Sequence, residues 1–173
     1  MHEALEAAVL KNCIGKQLSA IYMHLAIHLV CDSGIAVSGS QIKNKLDITC
    51  RFFDQLDAAA FAAASRQEPL VVLSHSMGGQ IVYELVTHFL PRMPEHRGIR
   101  IDFWCAAASQ VGLFEELGLF IESDPTCGAE TGRMAQHPSG AHLGGWWNVW
   151  DHADLLSFRA AGIIEGVDDS PFF

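Results

Sequence analysis

Leu70-Val71-Val72-Leu73-Ser74-His75-Ser76-Met77-Gly78-Gly79 is the stretch on which the fold turns. Its first four residues form a short continuous apolar run with two β-branched members, preceded by Pro69. Such a run predicts a strand buried on both faces of a parallel sheet. Small residues follow, and then Ile81, Val82, Leu85, Val86 and Phe89 recur at helical spacing until Pro91. The switch of period from strand to helix within residues 74–79 demands a sharp turn there.

Working outward, the next strand is expected over 99–106 and another over 146–150, with a helical turn or two over 113–120 between them. Upstream, Ser40 is a good N-cap for a helix ending near Ser65, with Ile42, Leu46, Phe53, Leu56 and Ala60 as its apolar stripe. Residues 31–39 are small and read as loop. Ile14, Leu18, Ile21 or Tyr22, Leu25 and Leu29 give the first thirty residues a helical stripe of unclear role. Residues 122–145 are rich in Gly, Ser, Pro and polar side chains and read as a long loop or cap excursion. Strand, helix, strand, loop, strand implies right-handed crossovers. The expected architecture is therefore α/β, three-layer α/β/α with a mainly parallel sheet, in one domain over 1–173.

Composition narrows the function. The chain has 173 residues, half of them apolar, and a net charge of −9 from 20 acidic and 11 basic residues. A phosphate backbone would be repelled and no basic cluster offsets that, so nucleic acid is set aside. Cys13, Cys31, Cys50, Cys105 and Cys127 are odd in number and widely spaced, without a C-x-x-C pair. That suits a reduced, cytoplasmic protein rather than a disulfide framework. The first residues lack the basic region of a signal peptide. No apolar run reaches the roughly 18 residues needed to span a bilayer, and the longest, over 18–30, is interrupted by His24 and His28.

Ser74-His75-Ser76-Met77-Gly78 has the form of a nucleophile elbow, with Ser74 where the usual pattern has glycine. Such a turn holds one serine in a strained conformation at the top of the sheet. Small residues two positions before and after let strand and helix pass closely, and Gly78 meets the second requirement. Ser76 is then the candidate nucleophile, and the Met77 N–H points at a developing oxyanion. His75 stands beside the site as a further candidate binding residue. A phosphate-binding loop is disfavoured, since neither a Gly-Lys-Ser/Thr ending nor G-x-G-x-x-G is present.

The run from Pro69 to Leu90 resembles the elbow of bacterial α/β-hydrolase-fold esterase and lipase-like proteins. The segments 108–118 (Ala-Ser-Gln-Val-Gly-Leu-Phe-Glu-Glu-Leu-Gly) and 147–158 (Trp-Asn-Val-Trp-Asp-His-Ala-Asp-Leu-Leu-Ser-Phe) resemble the same group. The resemblance covers about residues 32–167 and implies an incomplete α/β-hydrolase fold. It implies a serine hydrolase acting on carboxylic or lipid esters through an acyl-enzyme, without cofactor. Asp154 is the implied acid, with Asp151 competing, and a histidine should come third in chain order. Family members continue past a segment like Val167-Asp168-Asp169 to that histidine. Here no histidine follows His152.

Without its base a serine hydroxyl is a poor nucleophile. Three explanations stay open. The chain is a fragment truncated at both ends; a histidine of the excursion, His137 or His142, folds over Ser76; or the protein is an inactive relative. His142 is carried as the candidate base. The competing function is a non-catalytic interaction module that binds a partner chain or a second copy of itself through an uncovered strand edge.

Other residues are read structurally. His24 and His28 have i, i+4 spacing but no third ligand, and Cys127, His137 and His142 fit no finger pattern, so no metal site is expected. Cys105 is a core residue. Strand alternation puts Trp146 and Trp150 on one face and Trp147 on the other. Asp168 and Asp169 form a solvated turn.

Overall fold

The computed structural model describes residues 45–172, of which Thr49 onward belong to one compact unit. The expected helix over the first thirty residues, Ser40, Ile42, and the His24–His28 pair lie outside the described residues.

Helix α1 (Lys45–Arg66) is followed by strand β1 (Val71–His75), helix α2 (Gly78–Glu84), strand β2 (Ile101–Ala107), helix α3 (Val111–Glu116), strand β3 (Leu143–Asp151) and strand β4 (Asp168–Phe172). Helix α2 runs on through a π turn, Leu85–Phe89, and a last turn, Leu90–Arg92. Pro91, which has no N–H to continue the ladder, lies in that last turn. The four strands form one parallel sheet in the order β1-β2-β3-β4. The α/β class and the parallel sheet thus stand.

One face of the sheet carries the core. Trp104 and Trp146, register partners on β2 and β3, stack with ring centres 4.4 Å apart. Tyr83 of α2 packs on Trp146 and on Phe120. Phe53 and Leu56 of α1 are buried, with Phe53 stacked on His96 at 4.4 Å and edge-on to Phe89. The helical stripe read along residues 53–60 is the face that faces this core.

The opposite face overturns one expectation. Val71 and Leu73 are 55% and 75% exposed, and Phe103 and Trp147 beside them are also open. Strand β1 is therefore buried on one face only, and among the described residues it lies at the edge of the sheet. Its apolar run mimics a central strand because Val72 packs inward while Val71 and Leu73 do not. Strand β4 is missing from the sequence reading. It contains Pro171, which has no N–H to give to a ladder and so suits an edge strand, and β4 is the other edge of the sheet among the described residues. The Asp168-Asp169 pair is accordingly no solvated turn: Asp168 is exposed, but the Asp169 side chain is 8% exposed and fully engaged.

A buried carboxylate pins the start of the excursion. Glu115 of α3 shares a hydrogen bond with the Tyr83 phenol and accepts one from Ser123 Oγ at 3.1 Å. Burial pushes its pKa up, against the opposing pull of those two hydrogen bonds. A carboxyl raised on folding binds more protons folded than unfolded, so its contribution falls as pH rises from the ordinary glutamate range through the raised value. Glu115→Gln removes the titrating proton while keeping one acceptor oxygen and the side-chain shape. It is expected to flatten that fall and to raise the Tm at pH 7 relative to pH 4, as measured by thermal melts across the range.

Among the described residues no helix is long and apolar enough to cross a membrane.

Candidate active site

Parallel strands put all their C-terminal ends on one rim, and the residues singled out there come from three loops. The first is the turn after β1. Ser76 has φ of 53°, a left-handed conformation that a residue with a Cβ adopts at a cost of about 1 kcal/mol or more. Its N–H donates to Ala107 O at 2.9 Å, which ties the turn to the end of β2. Its carbonyl accepts from the Gly79 N–H at 3.1 Å, which starts the helix. The Ser76 side chain is half-buried at the rim. Met77 is already helical, and its N–H makes no hydrogen bond among the described residues.

The two small residues of the turn act differently from the sequence reading. A Cβ on Gly78 would sit at ordinary contact distance, 3.5 Å from Ser74 Cβ. A Cβ on Gly79 would fall 2.3 Å from Ser109 Oγ, so Gly79 is the position that must stay bare for helix and β2 loop to approach. Ser74 replaces the usual glycine because it is a partner: its Oγ accepts from the buried Trp104 Nε1 at 2.8 Å.

The second loop follows β2. Ala108 is also left-handed, with φ of 49°. Gln110 is buried, and its Nε2 faces three acceptors: Ala108 O at 2.9 Å, Leu156 O, and Ser76 Oγ at 3.4 Å. Its Oε1 accepts from Nε2 of the fully buried Gln80 at 2.8 Å.

The third loop follows β3. Asp151 Oδ1 accepts from Ala153 N, and Asp154 Oδ1 accepts from Leu156 N at 2.9 Å, so both candidate acids cap tight turns. The Gln110 amide, bonded to Ser76 and to Leu156, brings the Asp154 turn to the same rim as the serine. What holds this loop down is a clamp the sequence did not reveal. Phe158 N donates to Ser109 O, Asn148 Nδ2 donates to Phe158 O, and the Asp169 carboxylate receives Ala160 N, Ala161 N and Asn148 Nδ2.

Among the described residues Ser76 Oγ is hydrogen-bonded to Gln110 and to no histidine. His142 is buried just before β3, its Nδ1 3.2 Å from Ile99 O. Ile101 pairs with Leu143 and Ala107 with Val149, so His142 lies at the N-terminal end of the strands, opposite the serine. The structure therefore does not bring His142 to Ser76, and the reading of His142 as base is corrected. The excursion leads to that same far end; it bonds Glu116 through Ala129 N and pairs Ala135 with the 163–165 stretch. His137 packs against Gly166, with its Nδ1 on Pro138 O. His152 lies on the rim, edge-on to Trp150 at 4.4 Å. His75 ends β1 exposed, on the open side of the sheet with Val71 and Leu73.

Burial pushes the Cys105 thiol pKa up, which suits an inert thiol rather than a thiolate nucleophile. Among the described residues no group of three His, Cys, Asp or Glu is placed to hold a metal ion. No known protein family, curated protein or solved structure matches this chain.

Proposed function

We propose that the chain is a serine hydrolase of the α/β-hydrolase type, its sheet belonging to a three-layer but incomplete version of that fold, acting on carboxylic or lipid esters through an acyl-enzyme. The observation that carries this reading is the left-handed Ser76 at a strand-to-helix turn, half-buried on the rim, with the Asp154 turn hydrogen-bonded to the same glutamine. A non-glycine residue keeps such a conformation only where the surroundings enforce it, and functional turns are where such strain concentrates.

In the reaction Ser76 Oγ attacks the ester carbonyl carbon and gives its proton to a base. The carbonyl electron pair moves to oxygen, beside the Met77 N–H. Collapse returns that pair, breaks the bond to the alcohol oxygen, and the alcohol leaves with the base's proton. Water then repeats the sequence on the acyl-enzyme. Asp154 orients that base, a histidine. Leu155 and Leu156, 89% and 63% exposed on the Asp154 turn, offer an apolar lip for an acyl chain.

The second reading, a non-catalytic module that docks a partner chain, is favoured by a different observation. Ser76 Oγ receives its hydrogen bond from an amide rather than a histidine. A fluorophosphonate probe separates the two. Labelling that vanishes in Ser76→Ala and persists at an unchanged rate in His142→Ala supports the hydrolase. A cooperatively folded chain that takes no label supports the module.

A further inference from the structure

Among the described residues, the Gln110 amide is the polar group that touches both the nucleophile and the loop bearing its candidate acid. We infer that Gln110 is a positioning residue for Ser76, an inference that rests on the hydrolase reading.

The orientation of the amide is fixed by its surroundings. Ala108 O and Leu156 O can only accept, so the side facing them must be the NH2. Oε1 then faces Gln80, which must present its own NH2, at 2.8 Å. Gln80 is fully buried, and its Oε1 is left without a partner, a cost the arrangement bears to keep Gln110 in this sense. With both carbonyls and Gln80 in place, Gln110 can only donate to Ser76 Oγ.

This has a chemical consequence. Two N–H bonds serve three acceptors, and the serine is the farthest, at 3.4 Å against 2.9 Å for Ala108 O. The serine oxygen is thus held by a shared, yielding hydrogen bond. It accepts from Gln110, so its own proton is free to point to a base on the rim. The same amide fastens Leu156 O, which fixes the turn where Asp154 stands. None of the other partners of Gln110, namely Gln80, Ala108 O and Leu156 O, titrates.

The test compares fluorophosphonate labelling rates of the full chain with Gln110→Met and Gln110→Glu between pH 5 and 9. Gln110→Met keeps length and burial but offers no donor. It is expected to label about tenfold more slowly, the equivalent of one ordinary hydrogen bond. Gln110→Glu places a carboxyl before two carbonyl oxygens, which favours its protonated, donating form. Its rate is expected to exceed that of Gln110→Met at low pH and to fall as pH rises and the proton leaves, a trend no loss of packing would produce. Should the methionine variant not fold, the glutamate variant, matched in shape to the native side chain, decides the matter by its pH profile. Native rates in folded Gln110→Met, or a Gln110→Glu profile parallel to the native one, would overturn the inference while leaving the hydrolase reading intact. A folded native chain that takes no label would remove both.

Discussion

Asp169→Ala is expected to lower the unfolding free energy by about 2 to 5 kcal/mol, the summed cost of the buried donors that lose this acceptor. The carboxylate is 8% exposed and 3.7 Å from the Arg159 guanidinium. It accepts Asn148 Nδ2 at 2.9 Å, Ala161 N at 3.1 Å and Ala160 N through both oxygens. Truncation leaves two backbone N–H groups without acceptors, each costing about 1 to 3 kcal/mol where water cannot replace the partner. Asp168→Ala is the control, since that neighbour is exposed and should change stability by no more than about 0.5 kcal/mol. Urea unfolding of both variants checks the difference; equal midpoints would show that Asp169 holds nothing.

Gly112→Ala is expected to cost about 3 kcal/mol or more, at the upper end of overpacking effects. The added methyl would lie 1.8 Å from Arg159 O and 2.9 Å from its carbonyl carbon. These are backbone atoms, so no rotamer change relieves the clash, and either α3 or the 158–161 loop must shift. Gly98→Ala, where a methyl would meet nothing within 4 Å, is the matched control. Because the displaced loop leads back to Leu156 and Asp154, probe labelling of Ser76 should slow in Gly112→Ala even where the chain remains folded. A variant as stable as the native chain would mean that the loop is not packed on α3 as described.

Much of the framework was legible. Period changes located α1, β1, α2, β2 and β3, because each buries one continuous apolar pattern against the same core. The turn at 74–79 was legible too, since a strand that gives way to a helix within a few small residues leaves few backbone solutions. The two-sided burial of β1 was misjudged because Val71 and Leu73 have the same apolar character as the inward Val72, and composition does not tell which face is covered. Strand β4 escaped because Asp-Asp-Ser-Pro-Phe has the chemistry of a turn, and its pairing rests on residues 21 positions earlier, as in Asn148 to Asp169. Ser76 and the Asp154 turn were singled out from local pattern, whereas Gln80, Gln110, Asn148 and Asp169 were not. Their roles come from contacts across the sheet, and a buried amide carries no periodic signature. The one available hint was two glutamines inside otherwise apolar or small-residue runs.

The all-parallel sheet has a kinetic corollary. No two neighbouring strands can meet through a tight hairpin; the bond from Leu70 N, just before β1, to the Asp102 carboxylate on β2 already closes 32 residues of chain. Each pairing must therefore meet its loop entropy before it gains any burial, and chains built from such distant contacts cross a slow nucleation barrier. Refolding after dilution from denaturant should occupy milliseconds to seconds, and peptides cut from single strands of this sheet should show no residual strand structure of their own.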